Sequence, residues 1–169
     1  GGRYLAPGFI DGHVRGGGGF DFMDGSEEAF RRIAAYHARH GVTALLATTL
    51  AGGREETRRV AEAAAAFAPR IRETEILGVH MEGPYFSLEQ RGAQDPRYIR
   101  PPDRAEAEEF LAAGSIRRWS IAPELPGAEE FIKALKDEVR ISLAHTAAGY
   151  DTAMHAVSLG ARHATHLYN

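Results

Sequence analysis

The sequence predicts an α/β fold: a partial (β/α)8 barrel of the TIM type, with about six strands in a parallel sheet. Three observations predict it. Short β-rich runs alternate with longer helical patterns, the order expected of parallel βαβ units. Residues able to ligate a metal recur at the C-terminal ends of the predicted strands, where such barrels carry their chemistry. The 169 residues accommodate about six strands, whereas a closed barrel takes ~250 residues. An open doubly wound sheet also fits the alternation, but the placement of the candidate ligands favours the barrel.

In chain order, Leu5 to Val14 reads as a strand running into a loop. Ser26 is an N-cap followed by Glu27 and Glu28 in the first helical turn, and Gly41 ends that helix. Val42 to Leu50 is an aliphatic, β-branched strand. Arg54 to Phe67 is an Ala- and Glu-rich helix stopped by Pro69. Glu75 to Met81 is the third strand, followed by a Gly- and Pro-containing loop from Gly83 to about Asp103. The remaining elements are a helix over Arg104 to Ala113, a strand over Arg118 to Ala122, and a helix over Ala128 to Asp137. A strand follows over Val139 to Ala144, then a helix over Tyr150 to Leu159 and a sixth strand starting at Arg162 to Thr165. The glycine run Gly16 to Gly19 reads as a flexible connection; it lacks the fingerprint of a nucleotide loop. Residues 1–169 form one incomplete domain, and both ends read as cuts through a longer chain.

Composition narrows the chemistry. The net charge is −3 and no basic block interleaves with aromatics, so neither nucleic acid nor a membrane is an expected partner. With no cysteine there are no disulfides or thiolates, and His, Asp and Glu are left as metal ligands. No stretch has the order of a signal peptide, which makes a cytoplasmic location the default.

Four segments carry the candidate chemistry: Asp11-Gly12-His13-Val14-Arg15, His80-Met81-Glu82-Gly83-Pro84, Ala144-His145-Thr146, and Ala164 to Asn169. A catalytic divalent ion takes three N/O ligands and leaves one position for water. Glu82, His145 and His166 supply that set from separate strand ends. A lone histidine at a strand end is more often a loop residue; the recurrence on successive strands supports ligation. His80 has two readings, a barrel-facing group or a satisfied core histidine. His40 reads as a dipole partner at a helix C-terminus, His155 as exposed and His163 as structural.

Four segments, Pro7-Gly8-Phe9-Ile10-Asp11, His80-Met81-Glu82-Gly83-Pro84-Tyr85-Phe86, Ile121-Ala122-Pro123-Glu124 and Ala164-Thr165-His166-Leu167-Tyr168-Asn169, stand in this order along the chain. In them the chain resembles the N-acetylglucosamine-6-phosphate deacetylases of the amidohydrolase superfamily. The resemblance implies one divalent metal ion, zinc or iron, held by Glu82, His145 and His166. It implies contacts to an amino-sugar phosphate from Ala93, Gln94 and Asn169, with Gln94 where members often have His. It also implies a cytoplasmic homodimer in the complete protein, a small β-sandwich, and closing strands built from other residues. The reaction implied is hydrolysis of the acetamide of N-acetylglucosamine 6-phosphate, giving glucosamine 6-phosphate and acetate. The family's catalytic Asp lies after strand eight, beyond Asn169, so this chain alone is expected to be inactive. Many members carry His-x-His after strand one. His13 is then the candidate for a second metal site, but Arg15 stands where the second His would be, and a guanidinium has no lone pair to give. Two rival readings remain, another amide hydrolase of the superfamily and a non-catalytic metal-binding barrel fragment.

Overall fold

A computed structural model describes residues 4–168. Asn169, one of the expected sugar contacts, lies outside the described residues. Strand β1 (Phe9–Val14) leads into a short antiparallel ribbon, β2 (Gly16–Gly17) and β3 (Phe20–Asp21). Helix α1 (Glu27–Ala38), β4 (Val42–Thr48), α2 (Arg54–Phe67) and β5 (Glu75–Glu82) follow. Then come α3 (Arg104–Ala113), β6 (Ile116–Ile121), α4 (Ala128–Leu135), β7 (Arg140–Leu143), α5 (Tyr150–Leu159) and β8 (His163–Ala164). The main sheet runs β1-β4-β5-β6-β7-β8, every pair parallel. It is curled into a half-barrel. Arg118 on β6 reaches across the concave side to the carbonyl of Gly12 on β1, 2.9 Å away, although two strands stand between them in the sheet.

The expected elements are all present, with shifted ends. The first strand begins at Phe9 rather than Leu5, because pairing starts where the Phe9 N–H meets the Gly41 carbonyl at 2.9 Å and Pro7 has no N–H to offer. The glycine run is not a free connection: Gly16 and Gly17 pair with Asp21 and Phe20, and Gly18 and Gly19 turn the ribbon at φ 62° and 88°, which glycine adopts without strain. The Ser26 hydroxyl caps α1 by accepting from the Ala29 N–H. No helix among the described residues is long and apolar enough to cross a membrane.

The two faces of the sheet differ chemically. Towards the helices point Leu45, Ala47, Val79, Met81, Trp119, Ile121 and Ile141, packed against Phe30, Ile33, Phe110, Phe131 and Ile132. The concave face carries Thr48, His80, Glu82, Ser120 and Ser142, all buried. Parallel strands covered on both sides are usually apolar throughout, so this polar face marks the interior as more than packing. The only tryptophan, Trp119, stacks on Tyr85 with ring centroids 5.7 Å apart, and its indole N–H donates to the Gly83 carbonyl at 3.1 Å. That bond holds the first turn after Glu82.

One irregularity decides which residues of β5 face inward. Pairing with β4 steps from Leu45↔Ile76 to Leu46↔Gly78, leaving Leu77 unopposed. Side chains alternate with period two along a strand, so one extra residue reverses the faces. Ile76 lies on the helix side before the bulge, Val79 and Met81 after it, and His80 and Glu82 are thereby turned inward. Gly78 makes the bulge feasible, with φ 142° and a position where a Cβ would fall 2.4 Å from the Ser115 carbonyl oxygen. Gly78→Ala is expected to cost about 3 kcal/mol from backbone strain and overpacking together. Urea denaturation checks this; a midpoint equal to that of the parent chain would remove the bulge from the account.

Candidate metal centre

Four imidazole and carboxylate groups meet at the C-terminal end of the half-barrel. Glu82, the last residue of β5, is the hub and is only 1% exposed. Its Oε1 lies 3.0 Å from His166 Nε2, 3.4 Å from His145 Nε2 and 3.6 Å from His13 Nε2. Ligand atoms of His13, Glu82 and His166 all fall within 4.8 Å of one another. Of the expected trio, Glu82 and His166 fall in this group; His145 approaches the same Glu82 oxygen but lies outside the group, and His13, expected at a second site, takes its place there.

Local backbone geometry explains how the histidines are aimed. His145 and His166 are the two non-glycine residues with positive φ among the described residues, at 48° and 59°. Such conformations carry strain and persist where the surroundings enforce them. Around His145 the enforcement is visible. The Ser87 N–H donates to its carbonyl at 2.9 Å. Its Nδ1–H donates to the Gln90 carbonyl at 3.0 Å, which turns Nε2 towards Glu82. Glu124 holds the following turn, accepting from the Thr146 hydroxyl and, at 2.7 Å, from the Ala147 N–H. His13 sits inside β1, and its backbone N–H donates to Asp11 Oδ1 at 3.0 Å.

The electrostatics follow the geometry. Burial pushes the Glu82 carboxyl up, but hydrogen bonds from His145 and His166 and the nearby His13 outweigh it and hold the group at about 2. Burial lowers His13 more than Glu82 raises it. Burial also lowers His145, but the bonds to Glu82 and Gln90 leave it raised overall. Arg15 Nη1 stands 3.9 Å from Glu82 Oε2. His80 answers to both of its readings. It is wholly buried on the concave face, bonded to Ser120 and Thr48, and burial keeps it neutral with a pKa of about 3.

The donor set fits a divalent ion. Glu82 Oε2 is buried and finds no hydrogen-bond partner, and the same is true of His13 Nδ1. A buried carboxylate oxygen left without a partner is costly. Imidazole nitrogens converging on one carboxylate, with no thiol in the chain, suit zinc or iron(II). Beside His145 and His166 opens a cleft of about 600 Å³, lined also by Gln90, Gly92, Thr146 and Thr165. Of the expected sugar contacts, Ala93 is exposed on the loop after β5. Gln94 is 3% exposed, with its side-chain carbonyl accepting from the Ala51 N–H at 2.8 Å. Sequence reasoning gave no role to Arg118, nor to Glu124 beyond its place in the Ile121-Ala122-Pro123-Glu124 segment. Glu124 had a signal, since it follows the end of β6 as the candidate ligands follow theirs. His155 is exposed and pairs with Glu129 at 3.5 Å, and His163 bonds Ser142 at 3.0 Å.

The model of the amidohydrolase family matches residues 4–169. The chain is 35% identical to the N-acetylglucosamine-6-phosphate deacetylase of Lysinibacillus sphaericus, over 99% of this chain and 44% of that protein. It is 34% identical to the N-acetylgalactosamine-6-phosphate deacetylase of Escherichia coli O157:H7, over 98% and 45%. Among solved structures, the N-acetyl-D-glucosamine-6-phosphate deacetylase of Mycobacterium smegmatis superposes with a TM-score of 0.90 at 37% identity, covering 96% of this chain and 43% of that one. The chain therefore spans less than half the length of these relatives.

Proposed function

This chain belongs to the amidohydrolase family, and from that premise we propose that it is the metal-holding part of an amino-sugar-phosphate deacetylase barrel. The observation that carries the reading is the buried Glu82, with three imidazoles on one oxygen and no hydrogen-bond partner on the other. Glu82, His145 and His166 would hold one divalent ion, zinc or iron. Such an ion, when bound, polarises a carbonyl and lowers the pKa of a water.

The remaining work belongs to the chain's own residues. Glu82 supplies the one carboxylate of the cluster. The loop around Gln90 fixes the proton of His145 on Nδ1. The cleft of about 600 Å³ lies in the range of small-molecule sites, and Ala93, Gln94 and Asn169 are assigned to the sugar. The substrate is N-acetylglucosamine 6-phosphate and the products are glucosamine 6-phosphate and acetate, a step of amino-sugar catabolism. A homodimer in the cytoplasm belongs to the same reading of the complete protein.

The test is acetate release from N-acetylglucosamine 6-phosphate and from N-acetylgalactosamine 6-phosphate, by the complete protein and by its Glu82→Gln variant. Release from the glucosamine form alone, lost in the variant, is the expected result. Preference for the galactosamine form would move the substrate while keeping the class, and release unaffected by Glu82→Gln would end the metal assignment.

A second ion is expected to be absent or weakly bound. Arg15 presents a permanent cation to Glu82 Oε2, where a second ion would also have to find its ligands. Zinc titration should give one equivalent for the chain and a second, weaker one for Arg15→His. Two equivalents in the parent chain would show that the guanidinium does not bar the position.

A further inference from the structure

One layer below the candidate ligands, the concave face holds a continuous chain of polar contacts. The Val14 N–H of β1 donates to Thr48 Oγ1 of β4 at 3.0 Å. Thr48 Oγ1 lies 3.4 Å from His80 Nδ1 of β5, and His80 Nε2 lies 2.8 Å from Ser120 Oγ of β6. Ser120 Oγ is 3.1 Å from Thr165 Oγ1, which follows β8 and is itself 2.7 Å from Ser142 Oγ of β7. Ser142 Oγ is 3.0 Å from His163 Nδ1 of β8. The contacts touch every strand of the main sheet, and Thr48, His80, Ser120, Ser142 and Thr165 are buried. Each candidate ligand stands close in sequence to a member. His13 precedes Val14, Glu82 is two residues after His80, His145 is three after Ser142, and His166 follows Thr165.

We infer that this relay is a positioning device for the metal centre, fixing the spacing between the strand ends that present Glu82, His145, His166 and His13. The inference rests on reading that cluster as a metal centre. Neutral imidazole offers one donor and one acceptor, and a hydroxyl donates once. With the His80 proton on Nδ1, it donates to Thr48, and the hydroxyls of Ser120, Thr165 and Ser142 all donate towards His80, ending on a donating His163 Nδ1. With the proton on Nε2, every one of these hydroxyls turns the other way. The Thr48 hydroxyl also donates to the Leu46 carbonyl at 3.3 Å. Only the first setting leaves its one proton for that carbonyl, so the complete chain selects His80 protonated on Nδ1, and losing one hydroxyl frees its neighbours on both sides. Buried networks of this kind rigidify what they connect only when complete.

Thr165 is the junction, and it permits a near-isosteric test. Thr165→Val removes the hydroxyl and keeps the shape; Thr165→Ser keeps the hydroxyl. Zinc affinity of the 169-residue chain, measured by competition with a chromophoric chelator, is expected to fall ~10-fold in Thr165→Val. That is the lower end of the effect of losing a direct partner of a metal ligand, because Thr165 acts on the ligands through the strands and not by touching them. Thr165→Ser should stay close to the parent chain. Ile141→Val, on the helix side of β7, should lower thermal stability without changing zinc affinity. Imidazole ¹⁵N shifts should show one His80 tautomer in the parent chain and a mixture in Thr165→Val, with no metal added. Ser142→Ala provides the same readouts where Thr165→Val does not fold. Unchanged zinc affinity in the hydroxyl-deletion variants, or an equal loss in Ile141→Val, overturns the inference. A parent chain that binds no zinc overturns the metal reading and this inference with it, and that result is seen before any variant is made.

Discussion

Glu82→Gln is expected to raise the zinc dissociation constant of the chain by more than ~100-fold, since even outer partners of metal ligands are worth ~10–100-fold. The substitution keeps size and shape but removes the charge. In the native chain three imidazole nitrogens face Glu82 Oε1 at 3.0, 3.4 and 3.6 Å, and Oε2 is buried without a hydrogen-bond partner. An amide cannot balance a divalent cation at a site that is 1% exposed, and its NH2 group would place a donor where a ligand is needed. His13 alone is a weaker test, because His145 and His166 stay on the same carboxylate. Isothermal titration with zinc decides the matter. A Glu82→Gln chain that binds as tightly as its parent would mean that the ion sits elsewhere.

The chain by itself should release acetate from N-acetylglucosamine 6-phosphate no faster than a metal-free control. Amide hydrolysis needs a proton delivered to the leaving nitrogen, and a positioned acid–base group is worth about 10²–10⁴-fold. Among the described residues the cluster contains one carboxylate, Glu82, and it is committed to the histidines. Asp11 is occupied by the His13 N–H, and Asp24 caps the turn at Asp21. Zinc-loaded chain assayed for acetate gives the answer directly. Turnover abolished by Glu82→Gln would place the proton shuttle within these residues and refute the expectation.

Much of this architecture was legible because alternation and ligand position are one-dimensional signals. The β-branched run at Val42, the Ser26 cap and the histidines at strand ends mark the elements and the end of the barrel that matters. What was not legible depends on three-dimensional offsets. The bulge that turns His80 and Glu82 inward needs the pairing register of β4 against β5, and Gly78 alone does not announce it. The Gly16–Gly17 ribbon is stabilised by a partner strand two residues long, too short for a period to appear. Arg118 looks like any charged strand residue until the sheet curls and brings Gly12 within reach. Gln94 sits in a segment assigned to the sugar, yet its carbonyl is engaged by the Ala51 backbone, a contact between loops that no local pattern encodes.

The indole of Trp119 turns the first residues after Glu82 into an optical signal. The chain holds one tryptophan, so its fluorescence comes from a single, fully buried site. The ring is tied to the Gly83 carbonyl and stacked on Tyr85, both within three residues of Glu82. Any event that loosens that turn exposes the ring to water and moves its emission to longer wavelength, while an ordered site keeps it short. Emission at one wavelength pair can therefore follow the condition of the site in real time, without label, cofactor or substrate.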